Sequence, residues 1–215
     1  MRVIITGVTG MVGEGVLFEC LENPNVKEVL ILNRRHYNMK HSKLKELIVS
    51  DFFKLNDFSE QLKGYDACFY CAGISSVGVS EEEFTKATYD VVMSFAKVLS
   101  DINPNMVFNF VSGARTDSSE TGKIMWARVK GKTENALMKL PFKKVYNFRP
   151  AIMKGFKGQR NIKRAYKIMA PIVGIFYPQK TLSLKQVGQA MINTVLKGYS
   201  KQILEVNDID QLAKK

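Results

Sequence analysis

"MRVIITGVTGMVGEG", residues 1–15, decides how the rest of the chain is read. A short apolar run, "RVIIT", halts at Gly7, and a helical pattern, "MVGEGVLFECLEN", begins at Met11. That order predicts a buried strand, a tight turn and a helix. Glycines recur through the turn as G-x-x-G-x-x-G at Gly7, Gly10 and Gly13. The first permits a sharp exit from the strand. The second omits a Cβ that would block a diphosphate, and the third lets helix and strand approach closely. The helix start adds unpaired N–H groups and a partial positive charge. With Thr9, Met11 and Val12 between the glycines, the turn is read as a dinucleotide-binding loop. A strand before it and a helix after it distinguish it from a bare βα turn.

Outward from this loop, apolar runs alternate with helical patterns, the mark of βα units and a parallel sheet. "EVLILN", "ELIVS", "ACFYCA", "MVFNFVS", "KVYNFR" and "QILEV" read as further strands. "SEEEFTKATYDVVMSFAKVLSDI", residues 80–102, reads as one helix. It opens on a capping box, Ser80 with Glu83. Its apolar stripe is Phe84, Ala87, Val91, Phe95, Val98, Leu99 and Ile102. "SLKQVGQAMINTVLKG" and "NDIDQLAKK" supply two later helices, and "KIMWARVKGKTENAL", residues 123–137, supplies another with a stripe through Met125, Val129, Ala136, Leu137 and Leu140. The expected architecture is α/β: a doubly wound parallel sheet of about seven strands, helices on both faces, ligand at the carboxyl ends of the strands.

The 215 residues suit one large domain over 1–215, with 46% apolar and 24% charged residues, both ordinary for a globular chain. The N-terminal apolar run breaks into glycines after six residues and reads as a strand, not a signal peptide. "IMAPIVGIFYP" at 168–178 is too short to span a bilayer, so the expected location is cytoplasmic with no transmembrane segment. Cys68 and Cys71 form a C-x-x-C, but on a strand an odd offset sends the two thiols to opposite faces. His36 and His41 stand in a polar stretch without ligand partners at useful spacing, so no metal is expected. The net charge of +12 is uneven, with 20 Lys+Arg against 4 Asp+Glu after residue 122. Lys154, Lys157, Arg160, Lys163, Arg164 and Lys167 recur every three or four residues, a basic face if that stretch is helical. A solvated surface is the plainer reading; attraction of an anion is the functional one.

The second strand ends in Asn33-Arg34-Arg35, where an acid would grip the ribose 2′-hydroxyl of NAD. Two guanidinium groups suit a 2′-phosphate, which they can bind in bidentate fashion. NADP(H) is therefore expected in preference to NAD(H).

"TGVTGMVG", "LNRR", "SD", "CAG", "VSG" and "RPA" follow successive strands over residues 1 to about 152. In this combination the chain resembles the short-chain dehydrogenase/reductase superfamily. It is most similar to the atypical, extended-type, epimerase/dehydratase-like branch that includes the Tat-interacting-protein-like oxidoreductases. The resemblance implies a Rossmann sheet and assigns residues by position. Asp51 and Phe52 would flank the adenine, and Cys71, Ala72 and Gly73 would line the cofactor's ribose. Ser112 would polarise a substrate carbonyl, Lys130 would hold the nicotinamide ribose, and Pro150, Ala151 and Ile152 would shape the nicotinamide pocket.

The active-site helix of that superfamily carries Y-x-x-x-K, in which the lysine lowers the tyrosine's pKa and the phenol moves the proton. This chain reads Trp126-Ala-Arg-Val-Lys130. An indole N–H can donate a hydrogen bond but cannot relay a proton, so Trp126 could pack on a substrate or orient its oxygen. Three accounts stay open. The chain is an NADP(H) oxidoreductase acting on a carbonyl or hydroxyl of a small, anionic substrate, its proton coming from Ser112, a water or another tyrosine. Alternatively it is a non-catalytic NADP(H) sensor or scaffold. In the third account its basic second half binds nucleic acid or an acidic partner, which the sparse aromatics there (Phe156, Tyr166) disfavour. Residues 153–183 read as a short substrate cover hinged at Gly155 and Gly158. A homodimer is left open.

Overall fold

The computed structural model describes residues 1–156, 158–161 and 181–215. Seven parallel strands form the main sheet: β1 (Arg2–Thr6), β2 (Glu28–Asn33), β3 (Leu44–Ile48), β4 (Ala67–Tyr70), β5 (Val107–Val111), β6 (Lys144–Phe148) and, after a short pair described below, β9 (Ile203–Leu204). Their spatial order is β3-β2-β1-β4-β5-β6-β9. The order reverses between β1 and β4, and a crevice opens there at the carboxyl ends.

Successive side chains of a strand alternate between faces, and here both faces are covered, so the strands read as continuous apolar runs. Val3, Ile5, Val29, Ile31 and Phe69 pack beneath α1 (Met11–Glu22), α6 (Leu184–Leu196) and α7 (Val206–Ala213). Ile4, Leu30, Leu32, Cys68, Tyr70, Phe108 and Phe110 face the other layer. That layer is built from a 3-10 turn (Phe52–Phe58), α2 (Ser59–Leu62), α3 (Glu81–Thr85), α4 (Val91–Ile102) and α5 (Met125–Leu137). Cys68 lies in the second core and Cys71 packs against the first, so the C-x-x-C is split across the sheet.

Several expected boundaries move. β3 spans Leu44–Ile48, two residues ahead of "ELIVS", because its pairing with β2 starts at Val29↔Leu44. The helix expected over 80–102 keeps its capping box but is interrupted by a π-turn at Lys86–Asp90. One extra residue in that turn rotates the helix, so Thr88 and Val92 are buried while Ala87 and Val91 turn toward the crevice. The terminal strand shrinks to Ile203–Leu204, since Glu205 already caps α7. Lys154 lies in a short parallel pair, β7 (Ile152–Lys154) with β8 (Thr181–Ser183). The basic face therefore cannot start at Lys154 as a helix, and Lys157, Lys163, Arg164 and Lys167 lie outside the described residues. So does most of the 153–183 cover.

Candidate functional site

The crevice begins where β1 ends. Gly7 leaves the strand at φ +73, a conformation that L side chains resist, and a Cβ there would sit 2.6 Å from Ala72 N. A Cβ at Gly13 would sit 2.3 Å from Gly7 O. Buried Thr6 accepts from the amides of Cys71 and Ala72, both at 3.2 Å, and ties the end of β1 to the end of β4. Gly10 supplies no capping side chain. Among the described residues, the first amides of α1 consequently meet no side-chain acceptor, as a diphosphate site requires.

Three cavities run along this edge. The first, of about 270 Å³, is lined by Asp51, Phe52, Tyr70, Ala72 and Gly73, with Ala87 and Val91 from the π-turn side. The second, of about 490 Å³, is lined by Thr9, Asn33, Arg34 and Arg35. The third, of about 500 Å³, holds Gly10, Met11 and Val12 on one wall and Trp126 and Lys130 on the other. Arg34 borders both the first and second, and Ala72 and Gly73 border both the first and third. Through these shared residues they adjoin as one trough.

At one end, Asn33 is buried and donates to Glu46 Oε1 at 3.0 Å. Burial works against the charge of Glu46, but donation from Asn33, the Tyr37 amide and His36 outweighs it and holds the carboxyl below its ordinary range. Arg34 and Arg35 are exposed, and neither forms an ion pair among the described residues. Two uncommitted cations beside Thr9 fit a phosphoryl group.

At the far end stands α5. Lys130 Nζ donates to Ser112 O at 2.6 Å and more weakly to Val111 O at 3.4 Å, 5.9 Å from the centre of the Phe110 ring. Burial pushes its pKa down to about 8, against the opposing charge of Glu134. The Trp126 indole lies over Gly113, where a Cβ would be 4.0 Å from Cζ3. The loop between β5 and α5 can cross the helix only because residue 131 is glycine; a Cβ there would fall 1.8 Å from Asp117 O. This crossing also revises the α5 stripe. Its buried residues are Ala127, Val129, Gly131, Thr133, Glu134 and Leu137, because the helix is covered by that loop as well as by the sheet.

Ser112 is corrected most. It lines the third cavity, yet its hydroxyl turns inward to Glu134 Oε1 and to Phe148 O at 3.1 Å. One O–H facing two internal acceptors is not offered to a substrate carbonyl. Behind it, Arg149 donates through Nε to Glu134 Oε1 at 3.0 Å and through Nη2 to Oε2. It also reaches Ser118 Oγ at 2.6 Å and Glu205 Oε1 at 3.2 Å. Neither Glu134 nor Arg149 was singled out from the sequence; an acid four residues after Lys130 and the arginine of "RPA" were the available signals. Ile152 is the other correction. Pro150, Ala151 and Met153 line the cavity, since alternation along β7 turns Ile152 the other way. Every other expected cofactor residue borders the trough, except Gly7 and Gly13, which shape it from behind.

Among the described residues no helix is long and apolar enough to cross a membrane, and no cluster of three metal-ligating side chains occurs.

Comparison with known proteins agrees with this fold. The profile of the NAD dependent epimerase/dehydratase family matches residues 3–114. Protein HTATIP2 of Rattus norvegicus is 26% identical over 153 residues, covering 70% of this chain and 62% of that protein. The mitochondrial protein FMP52 of Meyerozyma guilliermondii is 26% identical over 156 residues, 72% of this chain and 66% of that one. The chain thus spans about two thirds or less of these relatives' length. Gre2 of Candida albicans in complex with NADPH superposes with a TM-score of 0.71 at 14% identity, over 95% of this chain and 77% of that one.

Proposed function

The chain belongs to the NAD dependent epimerase/dehydratase family, and from that premise we propose that it is an NADP(H)-dependent oxidoreductase. Its substrate in this reading is the carbonyl or hydroxyl group of a small, anionic molecule. The observation that carries the proposal is the continuous trough. It joins a first helical turn whose amides, and a pair of arginines whose charges, are unclaimed among the described residues, and a cleft lined by Trp126 and Lys130.

The residues divide the work. The amides at the start of α1 bind the diphosphate, and Arg34 and Arg35 take the 2′-phosphate. Asp51 and Phe52 border the adenine, and Lys130 holds the nicotinamide ribose. When bound, the reduced nicotinamide supplies a hydride. Trp126 then screens the reacting carbon from water and offers its N–H to the substrate oxygen. An anionic substrate is supported by Arg115, exposed at φ 69 directly after the cleft residue Ala114. A non-glycine residue held in that region is a common accompaniment of function.

Fluorescence titration with NADPH and NADH tests the reading. NADPH is expected to bind at least tenfold more tightly, and equal affinities would remove the role given to the arginines. One observation favours a second reading, a cofactor-binding sensor without turnover. With Trp126 in the phenol's place and the Ser112 hydroxyl engaged with Glu134 and Phe148 O, neither of the two ordinary hydrogen-bonding acids of such a site offers its proton to the cleft. A panel of aldehydes, ketones and quinones followed at the NADPH absorbance band separates the two.

A further inference from the structure

Resting on the oxidoreductase reading, we propose that Lys130 itself is the catalytic acid and base of this cleft, its ε-ammonium taking over the proton transfer that Trp126 and Ser112 cannot perform. The argument is by elimination and then by geometry. Among the described residues lining the cleft, the side chains that carry an exchangeable proton are Cys71, Ser112, Trp126 and Lys130. The indole releases none. Burial pushes the Cys71 thiol up to about 12, so it stays neutral and holds its proton. The Ser112 O–H is spent between Glu134 and the Phe148 carbonyl. Lys130 remains. Of its three N–H bonds, one is firmly placed on Ser112 O and a second is stretched to Val111 O, which leaves donor capacity on the cleft side.

Its surroundings suit the task. From its own helix Glu134 favours the ammonium, but that carboxylate is shared with Arg149 from beyond β6 and with Ser112 from just beyond β5. The Phe110 ring lies alongside from β5, and Cys71 from β4 is uncharged at neutral pH. Desolvation therefore prevails, and the amine titrates at about 8, near enough to neutrality to exchange a proton during turnover. In the reductive direction a C–H bond would form at the carbonyl carbon, its hydrogen and electron pair coming from a C–H bond of the reduced nicotinamide, which would break. The π pair moves to oxygen, an N–H bond of Lys130 breaks, and an O–H bond forms. The substrate gains two electrons and the cofactor loses them. Lys130, left as a neutral amine, recovers its proton from water.

The test uses the whole chain. Pulse labelling with acetic anhydride from pH 6 to 11, read by peptide mass spectrometry, gives a titration for each lysine. Lys130 is expected to become reactive with a midpoint near 8, against about 10.4 for exposed lysines in the same digest, and to be protected by NADPH. Lys130→Arg keeps the cation but does not release a proton near neutrality. Read at saturating NADPH, so that any weakening of the ribose contact does not enter the rate, it should keep a parental melting temperature yet reduce the probe 9,10-phenanthrenequinone at least ~100-fold more slowly at pH 7. An ordinary midpoint for Lys130, or Lys130→Arg turnover within tenfold of the parent, overturns the inference while leaving the oxidoreductase reading intact. A parent that binds NADPH but reduces no quinone, aldehyde or ketone overturns the inference and favours the sensor. A parent that binds no NADPH removes the cofactor reading itself.

Discussion

Replacing Arg149 by methionine should destabilise the protein far more than its place at the end of a strand suggests. Glu134 is 0% exposed and Arg149 only 8%. The guanidinium supplies two of the three donors that reach the Glu134 carboxylate, the third being Ser112. Burial disfavours the cation, but Glu134 and Glu205 outweigh it and hold the Arg149 pKa above its ordinary value. Arg149→Met leaves a buried carboxylate with one hydroxyl donor. Breaking one side of such a pair costs about 3–5 kcal/mol. At roughly 2–4 °C per kcal/mol for a domain of this size, the melting temperature should fall by about 6–20 °C. Much of that cost is the stranded charge rather than the pair's net worth. The double variant Glu134→Leu/Arg149→Met should therefore lose less than the sum of its single variants, by about 2 kcal/mol or more. Glu205, with 52% of its side chain exposed, returns to water at little expense. Urea denaturation of the four proteins of this cycle measures the coupling. Additivity within about 0.5 kcal/mol, or a single-variant loss below about 1 kcal/mol, would refute the reasoning.

Three further outcomes follow from the same geometry. Arg34→Ala and Arg35→Ala should each weaken NADPH about 10–100-fold, the worth of a charge-assisted hydrogen bond, with NADH affinity unchanged in parallel titrations. Gly131→Ala places a Cβ 1.8 Å from Asp117 O; the loop from Gly113 to Gly122 must lift, and limited proteolysis should find it cut faster than in the parent. Lys130 titrates lower in the folded chain, at about 8, than the 10.5 of an ordinary lysine. Between those values the unfolded chain holds more protons, so stability should rise with pH across that window, and Lys130→Met should flatten the rise in denaturation curves.

The sheet was legible because its signals are local. Five-residue apolar runs bounded by turn residues identify strands that are covered on both faces, and Gly7, Gly10 and Gly13 gave the crevice its position before any coordinate. The position of Arg34 and Arg35 beside the crevice was legible for the same reason: they follow a strand at a fixed remove from the glycine loop. What stayed hidden depends on contacts between distant segments. The π-turn at Lys86–Asp90 carries no distinctive residue, yet it sends Ala87 and Val91 to the crevice and not to the core. The inward turn of Ser112 requires Glu134 and Phe148, 22 and 36 residues away. Gly131 is unremarkable within its helix until the loop bearing Asp117 crosses it.

The buried pair and the cleft are one electrostatic unit, and this bears on how the site tolerates a tryptophan. A phenol in place of Trp126 would depend on a nearby cation to lower its pKa, and Lys130 stands in the cleft with no such phenol at that position. Its ammonium is positioned by the carbonyl of Ser112, whose hydroxyl is anchored to Glu134, which Arg149 in turn neutralises. Glu134→Gln would keep the shape of this chain of contacts and remove its charge. Since the Glu134 carboxylate is what raises the Lys130 pKa against burial, the variant should lower the Lys130 labelling midpoint below that of the parent. The same change should narrow the pH range over which the ammonium is available to a substrate oxygen. A midpoint that stays put would mean that Glu134 serves Arg149 and the fold alone, and that the lysine is tuned by burial without help from the network behind it.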